Sequence, residues 1–480
     1  MEIPILRTWI SGEPEQSRGQ IPLVTVDPNN LTQLPTSTES SLDQLEDALA
    51  QSWNNHERAV WQALPMEDKA DVFEKFAVGL EQRSERIAHL DALNSGVPIS
   101  VTRLICSGNA SIVRDAIQRA EAASKTVVLP ANHAEVRLLR VPWGPTALIT
   151  PWNAPSPMIV KKMAFALAAG APVIVKPSTI APHSAELIAE AAAEAGFPAG
   201  TWSFIRGGGE MGQALVSDSR VRAVSMTGST EVGRDIALRT IGRFTRLQLE
   251  LGSNNPALVR SDADMKRTAK ALISGAWKLS GQWCEAPRHV FAHKDVYEDL
   301  LIALKEESHE WRVGSSLDEL TQLGPVATRQ RQQSLLDQRS ELVSSGAQIF
   351  HQHDAPTEGS FFPATIMRAN GARPDGEIFG PLLLVEQVDS DQEGLRAASQ
   401  GNVGLAAYVF SEDSEVANHL AERLPAGEVK INGTSVLDMA QNSEQSFFGE
   451  SGLGGHGDNR LLDFFTGTRV VGEDKPDMPL

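Results

Sequence analysis

The sequence has only two cysteines, Cys106 and Cys284, among its 480 residues. This number excludes a disulfide framework and is typical of a protein from a reducing compartment. Positive charge is also scarce, because 43 Lys and Arg residues face 61 Asp and Glu residues and leave a net charge of −18. That sign opposes binding to a phosphate backbone or to an anionic membrane surface. We therefore expect neither a nucleic-acid partner nor a membrane partner.

Long apolar segments are lacking as well. The longest apolar run, Met163 to Val175, is interrupted by Gly170 and Pro172 and is shorter than the roughly 20 residues of a membrane-spanning helix. The N-terminal residues do not combine a basic segment with an apolar one, as a secretory signal would. We therefore predict a cytoplasmic protein. The hydrophobic fraction of 41% is ordinary for a globular chain, and the length favours two or three domains.

The N-terminal third is predicted to be mainly helical. Apolar residues recur at helical spacing in Asp43–Ser52, Met66–Leu90 and Arg103–Ser124. Residues 126–140 instead mix polar and apolar side chains in an extended pattern. This pattern predicts a long hairpin that projects from the body of the protein.

From Thr146 onward, short apolar runs alternate with helical segments. The runs TALIT, PVIVKPS and AVSMT are predicted strands, and the intervening helices begin near Ser156, Ser184 and Glu231. Such alternation is typical of βαβ units in a parallel sheet, which binds ligands at the carboxyl ends of its strands. The alternation starts again after Leu251 with RHVFA, GPLLLVEQV and AAYVF. The sequence therefore predicts two α/β lobes.

Two glycine-rich loops each join a predicted strand to a helix. In GGGEMG, Gly207, Gly209 and Gly212 fit the spacing of a dinucleotide-binding loop, but no suitable acidic residue follows at the expected distance. An ordinary glycine-rich turn explains this loop equally well. The second loop, Gly228 to Gly233, offers free amides at a helix N-terminus, where a pyrophosphate could bind. Lys176 ends another strand and could reach a ribose or phosphate, although a solvated lysine is the simpler interpretation.

Three further residues have side chains suited to catalysis. Cys284 follows the polar turn GQW, which leaves its thiol accessible, whereas Cys106 lies in a helical pattern and is interpreted as a buried apolar residue. Glu250 ends an apolar strand pattern before Gly252, and Asn153 lies among prolines in TPWNAPSP. Taken alone, Glu250 is better explained as a solvated carboxylate at a strand end and Asn153 as a structural turn residue, so each signal by itself is weak. The 11 histidines are scattered, so neither a cysteine protease nor a metal site is indicated.

Together these residues resemble the aldehyde dehydrogenase superfamily along nearly the whole chain. Six motifs follow one another in the family's order: TPWN, KPS, MTGSTEVG, LELGSNNP, GQWC and EIFGP. The resemblance implies an α/β fold with two Rossmann-like lobes, one for the cofactor and one for catalysis, and a β oligomerisation arm. It assigns residues 1–122 and 143–251 to the cofactor domain, 252–445 to the catalytic domain, and 123–142 and 446–480 to the arm and C-terminal segment.

The resemblance implies oxidation of an aldehyde to a carboxylic acid, with NAD or NADP as cofactor. Cys284 would form a thiohemiacetal and then a thioester, Glu250 would be the general base, and Asn153 with the Cys284 amide would form the oxyanion hole. No metal is expected, and the chain would form a homodimer or homotetramer. The implied cofactor-binding residues are Thr150, Trp152, Lys176, Ser178, Thr179, Gly209, Gly228, Ser229, Gly233, Leu251, Glu377 and Phe379.

The chain departs from the family pattern at several positions. Thr179 stands where relatives that prefer NAD often have a glutamate, so both NAD and NADP stay open. Ser253 replaces a glycine, and His289 stands where an arginine is usual, with Arg288 one position earlier. The C-terminal signature is altered between Ser446 and His456, which predicts an unusual substrate.

The segments expected to line the substrate site contain little positive charge. WNAPSPMIV is uncharged, and residues 433–448 contain Asp438 and Glu444 but neither Lys nor Arg. A substrate with a carboxylate would require a cation there, so we favour a neutral apolar or aromatic aldehyde beside Trp283.

Two other functions are considered. A coenzyme A-acylating aldehyde dehydrogenase is one of them, but such relatives commonly lack a glutamate base, so Glu250 favours hydrolysis. The second is a non-catalytic binding protein on the same fold, which would not need Asn153, Glu250 and Cys284 together.

Overall fold

The computed structural model describes residues 2–124, 126–130, 135–401, 403–435, 439–440 and 442–473. The α-helices of these ranges are α1 (Leu42–Glu57), α2 (Met66–Ser95), α3 (Ile99–Cys106), α4 (Asn109–Ala123), α5 (Pro155–Ala168), α6 (His183–Ala195), α7 (Gly209–Ser217), α8 (Thr230–Thr240), α9 (Met265–Trp277), α10 (Tyr297–His309), α11 (Arg329–Ser344), α12 (Asp391–Ala398), α13 (Ser414–Ala421) and α14 (Asp458–Phe465). Short 3₁₀-helices cover Ile241–Arg243, Lys278–Gly281 and Gly449–Ser451.

The β-strands of the same ranges form five sheets. They are β1 (Thr8–Ile10), β2 (Glu13–Glu15), β3 (Pro22–Leu23), β4 (Ser37–Thr38), β5 (Val127–Leu129), β6 (Val136–Pro142), β7 (Thr146–Ile149), β8 (Val173–Lys176), β9 (Trp202–Phe204), β10 (Ala223–Thr227), β11 (Arg246–Glu250), β12 (Asn255–Val259), β13 (Pro287–His293), β14 (Gln348–Gln352), β15 (Thr365–Arg368), β16 (Leu382–Val388), β17 (Ala406–Phe410), β18 (Glu428–Ile431), β19 (Gln445–Ser446), β20 (Gly452–Leu453), β21 (Gly455–His456) and β22 (Thr466–Gly472).

Two large sheets form the centres of two α/β lobes. The eight-stranded sheet has the order β2-β1-β9-β8-β7-β10-β11-β20, and its strands from β9 to β11 in this order are parallel. The seven-stranded sheet has the order β14-β15-β16-β13-β12-β17-β18 and is parallel except for β14. These sheets confirm the prediction of two Rossmann-like lobes.

Burial on both faces explains why the central strands are almost purely apolar. Every residue of β8, β12 and β17 is buried, as expected for parallel strands covered by helices on both sides. Helix α5 begins with Pro155, whose fixed φ suits a first helical turn, and most of its residues are buried against α4, α6 and α14. The core of this lobe therefore includes a helix that is buried along most of its length.

A three-stranded antiparallel sheet extends from the first lobe. It has the order β22-β6-β5, and β5 pairs with β6 from Val127 opposite Leu138 to Leu129 opposite Val136. The hairpin predicted for residues 126–140 is therefore present as an antiparallel pair, although residues 131–134 of it lie outside the described residues. Strand β22, near the C-terminus, pairs with the other side of β6.

The helix predicted for residues 103–124 is two helices. Helix α3 ends at Cys106 and α4 begins at Asn109, with Ser107 and Gly108 between them. The Ser107 hydroxyl donates to the Leu104 carbonyl at 2.7 Å and so competes with the helical hydrogen bonds, and glycine is a poor helix former. None of the helices in the described ranges is long and apolar enough to cross a membrane.

Candidate active site

The parallel strands of the first lobe end along one edge, and this edge faces the loop that carries Cys284. Strands β10 and β11 pair in register, so Thr227 lies opposite Glu250 at their carboxyl ends. Cys284 lies between the 3₁₀-helix Lys278–Gly281 and β13 in the second lobe. The two sequence-predicted residues, Glu250 and Cys284, thus reach the same cleft from different sheets.

The turn before Cys284 packs against a second loop so closely that the two backbones are in contact. Leu279, Ser280 and Gly281 have φ values of 52°, 57° and 73°, in the left-handed region. A Cβ atom at Gly281 would lie 2.2 Å from the backbone nitrogen of Pro381, so only glycine fits there. The motif residue Gly281 therefore lets the Cys284 loop lie directly on the loop that contains Gly380 and Pro381.

Arg288 joins these two loops through hydrogen bonds to the backbone of each. Its side chain is 1% exposed and donates to the carbonyl oxygens of Ala276 at 3.0 Å and Gly380 at 2.6 Å, and also to that of Gly281. Strand β13 contains a register shift, because Asn255 pairs with Pro287 and the next residue, Pro256, pairs with His289. Arg288 is the extra residue of this irregularity.

Asn255 fixes the backbone of the nucleophile loop. Its Nδ2 atom donates to the carbonyl oxygens of Cys284 at 2.8 Å and Ala286 at 2.9 Å. Its Oδ1 atom accepts a hydrogen bond from the Ala406 amide at 3.0 Å. Both ends of this buried side-chain amide therefore form hydrogen bonds with the backbone. Buried Asn255 thus positions Cys284 without facing the cleft, a role that its place in the motif LELGSNNP did not indicate.

Cys284 and Glu250 are in contact. The distance from Cys284 Sγ to Glu250 Oε1 is 3.6 Å, and the Thr227 hydroxyl donates to Glu250 Oε2 at 3.2 Å. Burial raises the pKa of the Cys284 thiol well above its usual value, and the negative charges of Glu250 and Glu285 add to the increase. In the resting protein the thiol is therefore protonated and has a carboxylate in position to accept its proton.

Asn153 approaches the same loop from the first lobe. It lies between β7 and α5, and its Nδ2 atom donates to the backbone carbonyl of Gln282 at 2.8 Å. An amide nitrogen has two hydrogens, so the second one is available to an oxygen beside Cys284. Asn153, Glu250 and Cys284 line one cavity of about 330 Å³.

Lys162 lies beneath this site. Its Nζ atom donates to Ser225 Oγ at 2.7 Å and Gln248 Oε1 at 3.1 Å, on the two strands that end at Thr227 and Glu250. Burial lowers the pKa of Lys162 to about 8, while the charge of Glu250 opposes this decrease. Lys162 is thus a buried cation that Glu250 stabilises electrostatically.

The cavity beside Cys284 has apolar walls with an acidic part. Its apolar lining comes mainly from Ile105, Met158, Leu279, Trp283, Val429 and Met439. Its acidic lining comes from Glu250, Glu285, Glu428 and Glu444, and no lysine or arginine is among the described lining residues. Asp438, which the substrate prediction invoked, lies outside the described residues. Glu285 was missed at the sequence level, although its position directly after Cys284 was a visible signal.

The predicted cofactor residues of the first lobe lie along the carboxyl edge of its sheet. Thr150 and Trp152 follow β7, Lys176 ends β8 and precedes Ser178 and Thr179, Gly209 begins α7, Gly228 and Ser229 follow β10, Gly233 lies in the first turns of α8, and Leu251 follows β11. A Cβ atom at Gly233 would lie 2.5 Å from a methyl carbon of Leu251, so these two residues pack against each other. The structure therefore brings the predicted residues to one face, as parallel topology requires.

The two glycine loops differ at their helix N-termini. At α7, the Gly208 amide donates to Glu39 Oε1 at 2.6 Å, so a carboxylate of the chain itself binds there. This contact favours the ordinary-turn interpretation of GGGEMG, and a cofactor role of Gly209 stays a prediction. At α8, Ser229 is the N-cap and its hydroxyl accepts from the Val232 amide at 3.4 Å. The α8 terminus is the better candidate for a phosphate.

The second lobe contributes an aromatic and charged wall opposite Trp152. The rings of Trp152 and Phe379 are 5.4 Å apart in a T-shaped contact, and the Arg331 guanidinium is 5.5 Å from the Trp152 ring. Glu377 accepts a hydrogen bond from the Ser253 amide at 3.2 Å, and burial raises its pKa to about 7. Arg331, on α11, was missed because an arginine on a polar helix gives no sequence signal.

These residues fit a bound dinucleotide. The Thr150 hydroxyl is buried without a hydrogen-bond partner among the described residues, and a Cβ atom at Gly209 would meet nothing within 4 Å. Lys176 donates to the Gly207 carbonyl at 2.7 Å, and burial lowers its pKa to about 8. Free space, an unsatisfied hydroxyl, a lysine and a helix N-terminus together suit ribose and phosphate groups. No metal-binding cluster occurs in the described part of the chain.

The altered C-terminal signature lies against Glu250. Strand β20 pairs with β11, with Gly452 opposite Glu250, and the Leu251 amide donates to the Ser451 carbonyl at 3.0 Å. His456 lines the cavity, and burial lowers its pKa well below the usual value, with Lys162 adding to the decrease. The segment Ser446–His456 thus borders the substrate cavity through a neutral histidine.

Known proteins resemble this chain over most of its length. A model of the aldehyde dehydrogenase family matches residues 15–471. Phenylacetaldehyde dehydrogenase from Pseudomonas fluorescens is 28% identical over 477 residues, covering 96% of this chain and 94% of that protein. Succinate-semialdehyde dehydrogenase [NADP(+)] GabD from Escherichia coli is 29% identical over 416 residues, covering 84% of each.

A solved structure has the same architecture. The NAD+ complex of an aldehyde dehydrogenase from Bacillus cereus superposes with a TM-score of 0.93 at 26% sequence identity. The superposition covers 99% of this chain and 97% of the other. The names of these proteins include both nucleotides and chemically different aldehydes, so the similarity defines the reaction class rather than the substrate.

Proposed function

The chain belongs to the aldehyde dehydrogenase family, and we propose that it oxidises an aldehyde to a carboxylic acid through a thioester on Cys284, with NAD or NADP as cofactor. One observation carries the proposal: Cys284, Glu250 and Asn153 line a single cavity, with Cys284 Sγ 3.6 Å from Glu250 Oε1. A thiol, a base and an amide donor are the groups that a covalent aldehyde oxidation needs.

The first step is addition of the thiol to the aldehyde. The raised pKa of Cys284 leaves the thiol protonated, so the proton passes to Glu250 as the sulfur attacks the carbonyl carbon. The carbonyl π electrons move to the oxygen, and the second Nδ2 hydrogen of Asn153 and the Cys284 amide stabilise the resulting negative charge. The product is a thiohemiacetal on Cys284.

The second half of the reaction releases the acid. When bound, the dinucleotide supplies the acceptor for the hydride that leaves the former aldehyde carbon. Glu250 first releases to solvent the proton that it took from the thiol. It then removes a proton from water as the water oxygen attacks the thioester carbon, and the C–S bond breaks. The sulfur leaves as thiolate and recovers a proton, which restores the thiol. Thr227 holds the Glu250 carboxylate through its hydroxyl during these transfers.

The cofactor would be held by residues on both sides of the cleft. Trp152, Lys176 and the α8 N-terminus would bind the adenosine and phosphate groups, and Glu377 with Phe379 would bind the nicotinamide half. Ser178 and Thr179 follow Lys176, and Thr179 leaves no carboxylate to repel a 2′-phosphate. Use of either NAD or NADP is therefore proposed.

Hydrolysis, rather than transfer to coenzyme A, is the proposed fate of the thioester. The contact between Glu250 and Cys284 supports this choice, since a base so close to the thioester can activate water. The substrate is proposed to be an aldehyde with an apolar body and no anionic group. The sequence favours a neutral apolar or aromatic aldehyde; the apolar lining and the absence of Lys and Arg among the described lining residues support the apolar body and the lack of an anionic group.

A homodimer or homotetramer is also proposed. Leu238 and Phe244, at the end of α8 and just beyond it, are 77% and 85% exposed, and Ile241 between them is exposed as well. Strand β5 forms an open edge of the three-stranded sheet, with Val127 and Val128 exposed. A second copy would cover these apolar groups.

The domain boundaries and the cellular location are part of the same proposal. The parallel strands of the first lobe come from residues 143–251, and the sheet of the second lobe comes from 252–445, which supports the proposed cofactor and catalytic domains. Both cysteines are free, which supports a reducing, cytoplasmic location.

The test is the absorbance of reduced cofactor over an aldehyde panel, with NAD and NADP measured separately. We expect activity in the wild type and in Cys106→Ala, and none in Cys284→Ala. Product analysis with and without coenzyme A distinguishes acid from acyl-coenzyme A. Activity that survives in Cys284→Ala contradicts the mechanism, and cofactor binding without any turnover favours a binding protein.

A further inference from the structure

The cavity beside the nucleophile contains more negative charge than the proposed mechanism uses. Glu250 is the base, but Glu285 and Glu428 also line the cavity; these two are called the carboxylate pair below. Glu285 directly follows Cys284, and Glu428 begins β18 on the neighbouring part of the second lobe. The two side chains repel each other, and burial together with Glu428 raises the pKa of Glu285 to about 7.

The cations near the carboxylate pair lie behind the cavity wall. Lys430 pairs with Glu428 at 3.1 Å and donates to the Ser435 carbonyl at 2.5 Å. Lys278 donates to the Thr434 carbonyl at 2.5 Å and lies 4.5 Å from the centre of the Trp283 ring. Neither lysine lines the cavity, so a molecule inside it meets the carboxylates and not the ammonium groups.

Glu285 is compensated less directly, because Lys430 lowers its pKa through its charge and not through an ion pair. Its Oε1 atom accepts a hydrogen bond from Gln445 Nε2 at 3.2 Å, and it has no ion pair with another described residue. The other end of that amide, Gln445 Oε1, is buried without a hydrogen-bond partner among the described residues. Gln445 also lines the cavity. This wall therefore presents one acceptor, Gln445 Oε1, that lacks a donor among the described residues, which is costly unless a ligand supplies one.

We propose, on the basis of the proposed function, that the substrate is an amino aldehyde whose ammonium group binds to Glu285 and to Gln445 Oε1. The charge of Glu428 would make the electrostatic potential at this position more negative. An ammonium group brings three donors and one positive charge, which match the unpaired Gln445 Oε1 and a carboxylate that has no ion pair with a described residue. Trp283, Met158 and Val429 would contact the methylenes between the two ends.

The substrate is short, because the binding residue and the nucleophile are adjacent. Consecutive Cα atoms are about 3.8 Å apart, so a chain of roughly three to five carbons can join an ammonium at Glu285 to a carbonyl at Cys284. A carboxylate at that end would instead face Glu285 and Glu444. Anionic semialdehydes are therefore poor substrates.

The experiment compares three aldehydes of similar length, which are 3-aminopropanal, butanal and the anionic 4-oxobutanoate. The wild type should prefer 3-aminopropanal to butanal by about tenfold or more in kcat/KM. Glu285→Gln should reduce this preference about tenfold, mostly through a higher KM for 3-aminopropanal. It should also raise kcat/KM for the anionic aldehyde relative to that for butanal. Glu285→Asp keeps the charge and should keep most of the preference.

Glu298→Gln is the matched control, since it removes one negative charge from an exposed residue paired with Arg368, away from the cavity. Its substrate ratios should equal those of the wild type. An amino-to-neutral ratio at or below one in the wild type, or a ratio that Glu285→Gln leaves unchanged, overturns the inference. Failure of the proposed function is distinct, because then none of the three aldehydes reduces NAD or NADP.

Discussion

Arg288 donates a hydrogen bond to the Gly380 carbonyl at 2.6 Å, and this bond joins the nucleophile loop to the loop that carries Glu377 and Phe379. The same guanidinium binds the carbonyl oxygen of Gly281 on the other side. The loop of the proposed nucleophile, Cys284, and the loop of the proposed nicotinamide-binding residues are therefore joined by one buried cation, and we expect their relative position to depend on it.

Replacing Arg288 should weaken both stability and catalysis. Arg288→Met leaves buried carbonyl oxygens without donors, and we expect a loss of about 2–4 kcal/mol in the free energy of unfolding. Arg288→Lys has a single donor group and should restore only part of the loss. Urea denaturation and kcat/KM measure the two effects. Full activity in Arg288→Met would show that the two loops hold their positions without this residue.

Removing the charge of Glu250 should make the resting thiol more acidic. The negative charge of Glu250 contributes to the raised pKa of Cys284, so in Glu250→Gln the midpoint of the pH profile for alkylation by iodoacetamide should move to lower pH. Turnover should nevertheless fall about 100-fold or more, because the base is lost. Mass spectrometry of the Cys284 peptide follows alkylation, and buried Cys106 should stay unmodified as an internal control. A shift to higher pH would contradict this electrostatic account.

Glu377 should make the cofactor-free protein less stable at high pH. Its folded pKa, about 7, is above that of an unfolded glutamate, so the folded state binds more protons between about pH 4 and 7 and stability falls as pH rises through this range. Glu377→Gln should therefore raise the free energy of unfolding by about 2–3 kcal/mol at pH 8, and by much less at pH 4. Urea titrations at both pH values measure this. An equal change at both would exclude the ionisation as the cause.

Phe244 should be part of a subunit interface. An exposed phenylalanine beside Leu238 and Ile241 is costly in water, so Phe244→Glu should shift the protein towards smaller species in sedimentation experiments. Leu104→Glu is the control, because Leu104 is also exposed, at 74%, but lies on α3. Dissociation by both variants, or by Leu104→Glu alone, would assign the interface elsewhere.

Thr179 should determine how well NADP is used. Thr179→Glu introduces a carboxylate beside Lys176, and repulsion of the 2′-phosphate should raise the KM for NADP about tenfold relative to that for NAD. Thr179→Gln has nearly the same shape without the charge and should change the ratio little. Steady-state kinetics with both nucleotides measures the effect. Equal changes in the two variants would attribute it to size rather than to charge.

Local pattern along the chain was enough to predict the two α/β lobes, whereas the three candidate catalytic groups were identified through the resemblance of the ordered motifs to a known family. Strand and helix periodicity depends on which faces are buried, which is a local property, and the ordered motifs carry Asn153, Glu250 and Cys284. The same local reasoning failed at Ser107 and Gly108, where a weak helical pattern is broken.

Which side chains meet depends instead on the tertiary structure. Glu285, Glu428 and Gln445 are far apart or unremarkable in the chain, yet they line one cavity, and Arg288 reaches Gly380 because a register shift in β13 adds a residue there. Arg331 stands over Trp152 from the opposite lobe. Such contacts depend on strand register, on crossover connections and on how two lobes face each other, and these long-range arrangements leave no periodic trace in the sequence.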